Sequence, residues 1–444
     1  MSRASAIIFL IAAALTLGLV SKKIRGADEI EYFSHLRSFV FDRDLDFTNE
    51  YEHFYSADPQ GLKAFKETFL DRREPKTNRP INFAPIGSAV VWSPFYMTAH
   101  VLVTNGVLRG PADGYSPAYT GAVAYGSAIL AIVGFWLSFQ ALKRYLGVSE
   151  GLAMTAILAA WFGTPALYYV TVAPAFAHAP SIFAVSLTFF LWLRAREKDS
   201  VFDWILMGMA AGLAMLVREQ AALFLIAPGL DLGRRLFKGD VKRAVERGLS
   251  VLGAAAVVFI PQFFAYQALN GTFGPTQLVQ RKMDFQSPHF FDVLIDPEHG
   301  LLLWTPFLLV AFLGFIRVCL RHGLVGLFLA AALLSQVYIN GAVLSWHQAG
   351  AFGSRRFVDS TFLFIVGIAF GLMPFTTRIQ RVVAALAIWW NVSLMVQFGL
   401  KLMDRQALDW PGVAVRQVTT VPQRIWGTLS LYLTDPEALV KGTR

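Results

Sequence analysis

The stretch Gly26-Ala27-Asp28-Glu29-Ile30-Glu31-Tyr32 places an acidic pair directly after the first hydrophobic run of the chain, Ser5 to Val20. Carboxylates beside a bilayer are unfavourable unless they are solvated, paired or used in chemistry. Asp28 and Glu29 also open the longest polar segment of the sequence, which runs to about Asn82. This combination indicates membrane-embedded chemistry rather than simple anchoring.

The composition is that of a polytopic membrane protein. Of 444 residues, 55% are hydrophobic and only 16% are charged, and the mean hydropathy is +0.49. Repeated apolar runs of about 17–25 residues are typical of membrane-spanning helices, whereas a soluble protein of this length carries a larger charged fraction. The net charge of +9 comes largely from short loops between apolar runs, which is how topology-setting charges are distributed, so we expect no nucleic-acid partner.

Eleven apolar runs are long enough to be predicted as membrane helices, which makes the chain all-α. They span residues 5–21, 118–142, 152–170, 177–194, 203–217, 221–236, 249–269, 301–320, 323–344, 357–375 and 382–402. Five basic loops follow alternate members of this series, and positively charged loops lie in the cytoplasm. These loops are Lys143-Arg144, Arg194–Lys198, Arg234–Arg247, Arg317–Arg321 and Arg378–Arg381. The pattern predicts that loops 165–180, 270–300 and 345–356 lie on the opposite, outer face.

The topology of the start depends on whether residues 83–103 span the membrane. If they do not, the N-terminus is cytoplasmic and residues 22–82 lie outside; if they do, both placements reverse and twelve helices span. Basic residues directly after the first helix favour a spanning segment, whereas Pro85 and Pro94 within an aromatic-rich stretch favour a juxtamembrane or re-entrant helix. Composition alone leaves both readings open.

The two ends of the chain carry simpler signals. No small-residue cleavage site follows the first helix, so an uncleaved anchor is expected. Residues 403–444 are predicted to form a polar, extracytoplasmic tail with one amphipathic piece, Val421 to Leu433. The one cysteine, Cys319, excludes an intrachain disulfide.

Several short loop motifs together resemble bacterial GT-C glycosyltransferases over roughly residues 1–375. The motifs are Asp28-Glu29-x-x-Tyr32, Asp42-Arg43-Asp44-Leu45-Asp46-Phe47-Thr48-Asn49-x-Tyr51, Pro85-Ile86-Gly87 with Trp92-Ser93-Pro94-Phe95 and His100, His299-Gly300-Leu301-Leu302 with Trp304-Thr305-Pro306, and Phe352-Gly353-Ser354-Arg355-Arg356-Phe357. One departure matters, because many relatives have Gly-Pro-Arg where this chain has Gly353-Ser354-Arg355. The matching role therefore falls on either Arg355 or Arg356.

The resemblance implies a GT-C fold in residues 1–402, within the family that includes protein mannosyltransferases and aminoarabinose transferases. In that fold the first helix leads into a large extracytoplasmic loop, here residues 22–117, so segment 83–103 would be juxtamembrane or re-entrant. The resemblance further implies a multi-pass enzyme of the inner (plasma) membrane. Its donor would be a sugar on a polyprenyl phosphate, and its acceptor a glycolipid, polysaccharide or protein.

Asp28 is the candidate base, by its match to the family's first-loop aspartate. An inverting single displacement needs one carboxylate to take a proton from the acceptor hydroxyl and cations to stabilise the departing phosphate. Glu29 is expected to orient the acceptor or to hold Asp28 in place, and Tyr32 completes the motif as a substrate-binding residue. The alternative is a solvated pair neutralised by nearby basic residues, Lys22, Lys23 or Arg25.

The alternating acidic residues Asp42, Asp44 and Asp46 would point to one face of an extended segment. There they would suit acceptor hydroxyls or a divalent cation, although a solvated acidic turn is an equal reading. No His/Cys cluster has zinc-ligand spacing and the acidic set lacks the EF-hand pattern. We therefore expect no obligate cofactor or metal.

Arginine and histidine side chains on the outer loops are the candidate donor-binding groups. Arg218 lies on the face that basic residues avoid, so it needs a partner, either a phosphate or the adjacent Glu219. Arg355 and Arg356 repeat this pattern, with Asp359 as a candidate neutraliser of one of them. His178 and His299 also fall on this face, and each is either a substrate contact or a structural residue.

These observations predict a membrane glycosyltransferase with Asp28 as base and the outer arginines at the phosphate. The alternative is a polytopic transporter or lipid flippase, in which ionisable residues mark the pathway. The charges cluster in outer loops rather than at helix centres and no inverted repeat is visible, which favours the enzyme.

Overall fold

The computed structural model describes residues 1–348 and 350–434. Within these residues the regular secondary structure is helical, apart from two isolated β-bridges. The α-helices of this part are α1 (Arg3–Gly18), α2 (Ala27–Arg37), α3 (Thr48–Ala57), α4 (Lys63–Phe65), α5 (Gly87–Thr104), α6 (Pro117–Arg144), α7 (Glu150–Phe162), α8 (Ala166–Thr171), α9 (His178–Lys198), α10 (Val201–Val217), α11 (Ile226–Phe237), α12 (Val241–Asn270), α13 (Gln277–Gln280), α14 (Asp292–Ile295), α15 (Leu301–Trp304), α16 (Leu308–His322), α17 (Leu324–Gly341), α18 (Thr361–Leu372), α19 (Thr377–Gly399) and α20 (Trp410–Thr434). Two π-helical turns, Ser38–Asp42 and Lys66–Leu70, and two 3₁₀ segments, Glu219–Leu225 and Arg355–Ser360, complete them.

Long apolar helices make this a multi-pass membrane protein. Within the described residues, α6, α12, α17 and α19 are each long and apolar enough to cross a membrane. The shorter helices α1, α7 and α10 are also apolar. Every predicted apolar run contains a helix, so the all-helical fold is confirmed, while the number of spans stays a prediction.

Proline breaks two of the predicted runs. The run 152–170 divides into α7 and α8 at Gly163-Thr164-Pro165, and the run 301–320 divides into α15 and α16 at Thr305-Pro306. Proline has no N–H to donate, and it disfavours the helical conformation of the residue before it. The prediction of one continuous helix in each run was therefore wrong.

Helix α5 covers the predicted segment 83–103 and lies along one half of α6. Trp92 Nε1 donates to Ser127 Oγ (2.7 Å), and His100 Nδ1 lies 2.7 Å from the Tyr119 hydroxyl, so both contacts fall in the N-terminal half of α6. Before the helix begins, Ile86 N donates to Gln262 Oε1 (2.9 Å). This placement favours a re-entrant or juxtamembrane α5, and its sidedness stays a prediction.

The N-terminus and the acidic stretch lie at opposite ends of α1. The Ser2 amide donates to Glu150 Oε1 (2.5 Å), and that carboxylate also pairs with Lys143 of the first basic loop (2.5 Å). At the other end, Ser21 N donates to the Thr171 carbonyl (2.7 Å). The acidic stretch is therefore at the end of the bundle away from the first basic loop.

Small residues let the core helices approach closely. Gly314 of α16 faces the backbone of α18 so tightly that a Cβ there would lie 1.9 Å from the Gly367 carbonyl oxygen. Small residues at helix interfaces serve membrane proteins in this way, because close backbone packing replaces the hydrophobic driving force that lipid removes. The 3₁₀ segment that carries Arg355 and Arg356 leads directly into α18 of this pair.

The described part of the predicted polar tail contains a long helix. Helix α20 begins at Trp410, well before the amphipathic piece predicted from Val421, and its Val413 and Val421 side chains are buried. Trp410 Nε1 donates to the Leu303 carbonyl (3.1 Å), which anchors the start of α20 on the bundle. The remainder of the predicted tail, 435–444, lies outside the described residues.

Candidate active site

Three side chains of helix α2 line one cavity, which we call the α2 cavity. Asp28, Glu31 and Tyr32 have the i, i+3, i+4 spacing that places residues on the same helix face. All three line a cavity of about 560 Å³, and Ile30 and Phe33 on the other faces are fully buried. The spacing of Asp28-x-x-Glu31-Tyr32 therefore determines which groups reach the cavity.

Glu29 closes the N-terminus of α2 instead of facing the cavity. Its Oε2 accepts the backbone N–H groups of Arg25 (2.9 Å) and Gly26 (2.8 Å), two donors that a helix start leaves unpaired. Burial raises the pKa of the Glu29 carboxyl to about 7. Of the two roles predicted for Glu29, this geometry favours holding Asp28 in place.

The cavity lining contains both polar and apolar side chains. Its polar residues include, besides those of α2, Arg218, Glu219, Gln220, Lys282, Ser345, Arg355 and Arg356. Its larger apolar residues are Phe69, Phe83, Val279, Met283, Ile339 and Val343. A site of this kind suits an amphipathic ligand with an anionic group at one end.

Asp28 forms an ion pair with Arg355. The Arg355 Nη1 to Asp28 Oδ2 distance is 3.2 Å, and the Asp28 side chain remains 38% exposed, so a ligand in the cavity can reach it. The Arg355 guanidinium also lies over the Phe176 ring at 5.5 Å. The alternative reading had Lys22, Lys23 or Arg25 neutralise the acidic pair, whereas the ion-pair partner of Asp28 is Arg355, which is distant in sequence.

Arg218 belongs to a buried network centred on Asp359. Arg218 Nε lies 2.6 Å from Asp359 Oδ2, Gln220 Nε2 donates to the same oxygen (2.9 Å), and His178 Nδ1 lies 3.4 Å from Oδ1. Asp359 thus neutralises Arg218, not Arg355 or Arg356. The local Arg218–Glu219 ion pair is not formed. His178 lies within hydrogen-bond distance of the Asp359 and Arg218 side chains.

Arg356 and Lys282 are the cavity cations without a carboxylate partner within 4 Å among the described residues. Arg356 Nη2 donates to Ser345 Oγ (3.1 Å), while its buried Nη1 has no hydrogen-bond partner. Burial and the neighbouring Arg355 and Arg218 guanidinium groups lower the pKa of Arg356 to about 9. The Lys282 ammonium lies over the Phe83 ring at 4.1 Å. Both cations are available to an anionic ligand.

Burial shifts the remaining carboxyl groups of the cavity towards their neutral form. Burial, reinforced by the nearby Asp28 charge, raises the pKa of Glu31 well above its usual range, and burial raises the pKa of Glu219 to about 7. Glu31 Oε1 also accepts the Phe83 N–H (2.6 Å). With Asp28 paired and these two carboxyls shifted towards neutrality, the cavity carries excess positive charge.

Five predicted site residues do not line the cavity: Glu29 and His178, described above, and Asp44, Asp46 and His299. Asp44 Oδ1 accepts from Ser38 Oγ (2.8 Å), and Asp46 Oδ1 accepts from the Thr48 hydroxyl (2.6 Å) at the start of α3. Of the two readings of Asp42, Asp44 and Asp46, the turn is the one observed, because a π-helical turn ends at Asp42 and the next residue has φ 60°. His299 is buried against Trp304 and bonds the Ala351 carbonyl (2.8 Å).

The sequence reasoning missed Glu31, Lys282 and the role of Asp359. Lys282 carried a usable signal, since it is a cation in the outer loop 270–300, the same signal that identified Arg218. Glu31 stands within the quoted acidic stretch, and only its helical spacing from Asp28 sets it apart. In the described residues no three His, Cys, Asp or Glu side chains are placed to hold a metal ion.

Comparison with known proteins gives a family model that matches part of the chain and solved structures of similar fold. The family model of dolichyl-phosphate-mannose-protein mannosyltransferases matches residues 120–266, which include Arg218 but neither Asp28 nor Arg356. The crystal structure of ArnT from Cupriavidus metallidurans bound to undecaprenyl phosphate is similar with a TM-score of 0.53 and 14% identity, over 94% of this chain and 75% of that one. Apo ArnT from the same organism gives a TM-score of 0.50 and 16% identity, over 93% and 74%.

Curated protein sequences give no match to the chain. At 14% and 16% identity, the likeness to ArnT shows a shared fold and nothing finer. The resemblance to GT-C glycosyltransferases indicated by the loop motifs is nevertheless confirmed, because the chain has the fold of ArnT and its residues 120–266 match the mannosyltransferase family model.

Proposed function

We propose that the protein is a membrane glycosyltransferase that moves a sugar from a polyprenyl-phosphate donor to an acceptor hydroxyl in the α2 cavity. The observation that carries the proposal is the uncompensated pair of cations, Arg356 and Lys282, in a cavity that also holds Asp28. The ArnT structure with undecaprenyl phosphate and the matching mannosyltransferase family model support a lipid-phosphate donor.

The donor phosphate would bind at Arg356 and Lys282. A buried guanidinium with an unpaired N–H gains a charge-assisted hydrogen bond when a phosphate oxygen enters, and that interaction strengthens as the leaving phosphate gains charge. Lys282 adds a second positive charge to the same cavity, from the loop that follows α13. The apolar lining residues Val279, Ile339 and Val343 would contact the first isoprene units of the donor.

Asp28 would act as the base in a single displacement. It would accept the proton of the acceptor hydroxyl while that oxygen forms a bond to the anomeric carbon, and the bond from that carbon to the phosphate oxygen breaks. The polyprenyl phosphate leaves with the electron pair, and the configuration inverts. Because Asp28 is partly exposed to the cavity, an acceptor can approach it from solvent.

Donor binding would also free the base. Arg355 Nη1 lies 3.2 Å from Asp28 Oδ2, so the ion pair occupies a carboxylate oxygen that the acceptor hydroxyl would otherwise contact. A phosphate beside Arg356 competes for the adjacent Arg355 guanidinium, and every contact that Arg355 makes to phosphate weakens its hold on Asp28. The acceptor would therefore be activated after the donor is bound, which limits unproductive hydrolysis.

The chemistry would take place at the extracytoplasmic face. The cavity lies at the end of the bundle away from the Lys143-containing loop, and basic loops lie in the cytoplasm. The resemblance to GT-C enzymes favours the same side. We propose accordingly that the N-terminus is cytoplasmic and that residues 22–117 form an outer loop.

A binding and cleavage experiment tests this function. Purified protein in proteoliposomes is offered undecaprenyl phosphate, and then polyprenyl-phosphate-linked sugars with membrane extract as the acceptor source. We expect saturable binding of the lipid phosphate, weakened by Arg356→Gln, and release of the sugar from its phosphate. Binding with movement of an intact donor across the bilayer would instead identify a flippase.

A further inference from the structure

A second cavity lies at the end of the bundle opposite the α2 cavity. It measures about 370 Å³ and lies between the C-terminal ends of α6, α9 and α16 and the start of α17. Its lining consists of Arg144, Tyr145, Leu146, Leu193, Arg196, Glu197, His322 and Val325. Three helix ends therefore direct basic side chains to one place.

Two of the three arginines at this second cavity, Arg144 and Arg321, form no ion pair within 4 Å in the described part of the chain. Arg196 pairs with Asp231 (2.7 Å), but no carboxylate of the described residues lies within 4 Å of the exposed Arg144. Arg321 reaches the edge beside Gly147, and its Nη1 donates to the Met373 sulfur (3.2 Å) rather than to an acid. Glu197 is the acidic residue of the lining, and it is exposed to solvent.

A buried nitrogen points to a ligand rather than to solvated loop charges. Among the described residues, the buried His322 Nε2 finds no hydrogen-bond partner, although its ring lines the cavity. Charges that only set topology need a solvated loop and no cavity. An unpaired ring nitrogen between two arginines is, by contrast, a ready hydrogen-bonding partner for a phosphate group.

We propose that this second cavity binds the headgroup of an anionic phospholipid. It lies where the apolar helices end, which is the depth of the headgroups in a bilayer, and Leu193 and Val325 supply an apolar wall beside the cations. Basic pockets between helices at the cytoplasmic side are typical sites for anionic headgroups. The site is separate from the donor cavity and does not depend on the proposed transfer reaction.

Native mass spectrometry of the full chain in uncharged detergent tests the proposal with a matched pair of variants. Arg144→Gln with Arg321→Gln removes the unpaired cations, while Arg378→Gln with Arg381→Gln removes two exposed arginines of another basic loop. Phosphatidylglycerol should bind as one discrete adduct. Each arginine lost from the site should weaken that binding about fivefold, whereas the control pair should leave it unchanged.

Three results would overturn the proposal: equal losses in the two double variants, equal binding of phosphatidylcholine, or displacement of the lipid by millimolar inorganic phosphate. The last result would assign the cavity to free phosphate. Arg144→Gln alone serves as the second variant, because the exposed Arg144 side chain makes no ion pair within 4 Å in the described structure and its loss should leave folding intact.

Discussion

At the scale of single residues, Arg356 carries a charge that its described surroundings do not neutralise. Its guanidinium is close enough to those of Arg355 and Arg218 to be repelled by them, and no carboxylate of the described chain lies within ion-pair distance. Keeping such a group is unfavourable for folding, and natural proteins tolerate this at sites where a ligand supplies the missing partner. Arg356 is therefore the residue at which stability and ligand binding should respond in opposite directions.

We expect Arg356→Gln to raise the thermal stability of the ligand-free protein and to weaken undecaprenyl phosphate binding on the order of tenfold or more. Relief of the repulsion with Arg355 is the reason for the first effect, and loss of a charge-assisted hydrogen bond is the reason for the second. Thermal unfolding and lipid titration measure the two effects on the same preparation. Arg355→Gln is the contrast, because it breaks the Asp28 pair and should not raise stability.

The residues predicted from the sequence divide by the kind of signal that identified them. Arg218, Arg355 and Arg356 were found because cations are avoided on the outer face, and all three line the cavity. The substrate-binding prediction for Asp44 and Asp46 assumed an extended backbone, whereas the chain turns at Arg43 directly before them. The exchange of partners, with Asp359 on Arg218 and Asp28 on Arg355, depends on tertiary packing that the sequence does not contain.

At the scale of helices, the start of α2 determines where Asp28 sits. Gly26 adopts an extended conformation, and the Glu29 carboxylate accepts two backbone N–H groups there. Asp28 in the first turn gains from the helix dipole and is directed to the cavity by the same geometry. A change that removes the acceptor oxygen at this cap should therefore alter both stability and the position of the base.

We expect the stability that Glu29 contributes to fall as the pH rises. Its folded-state pKa of about 7 lies above the ordinary value of 4.5, so the folded protein holds the proton more tightly than the unfolded chain. That contribution is complete below about pH 4.5 and is lost as the pH passes about 7. The melting temperature of the wild type minus that of Glu29→Gln should therefore decrease from pH 5 to pH 8.

The matched control for this pH dependence is Glu52→Gln, which changes an exposed carboxyl of the neighbouring α3. Other buried carboxyls, such as Glu31 and Glu219, titrate in both members of each pair and so cancel in the difference. A difference that stays flat or increases with pH would show that Glu29 is not held in its protonated form by the fold.

The α16–α18 contact gives a second prediction at this scale. Gly314→Ala should lower stability by about 1–3 kcal/mol, because the new methyl group meets the Gly367 carbonyl oxygen. Gly248→Ala is the control, since its Cβ would enter open space on α12. Thermal unfolding in detergent should separate the two variants, and equal melting temperatures would contradict the close packing.

Helix positions were more predictable than helix ends. Apolar runs of membrane length identify helices by composition alone, and all eleven predicted runs contain one. The breaks at Pro165 and Pro306 carried a readable signal that hydropathy averages away. The early start of α20 also carried a local signal, because Asp409 accepts the Gly412 N–H (3.4 Å) and is followed by Pro411, a pattern typical of a helix start.

At the scale of the whole molecule, charge divides the two ends of the bundle. The basic loops gather at one end with the N-terminus, and the α2 cavity lies at the other. Loop alternation predicted this division from α6 onward, whereas the start of the chain depended on segment 83–103. The fit of α5 against half of α6 favours the cytoplasmic N-terminus.

Cysteine labelling in intact cells tests that topology, with Cys319 replaced by Ser. Glu52→Cys on the exposed side of α3 should react with a membrane-impermeant maleimide from outside. Lys238→Cys, in the loop after α11, should react only after permeabilisation. Labelling of Glu52→Cys from the cytoplasm alone would reverse the proposed sidedness and remove the cavity from the outer face.

The most direct measurement is single-turnover transfer from a polyprenyl-phosphate-linked sugar, compared between the wild type, Asp28→Asn and the cap variant Glu29→Gln. Asp28→Asn should bind undecaprenyl phosphate at least as tightly as the wild type, because Arg355 is freed from its pair. Its transfer rate should fall by about 10²–10⁴ while Glu29→Gln retains most of the activity. Unchanged transfer in a folded, lipid-binding Asp28→Asn would contradict the proposal that Asp28 is the base.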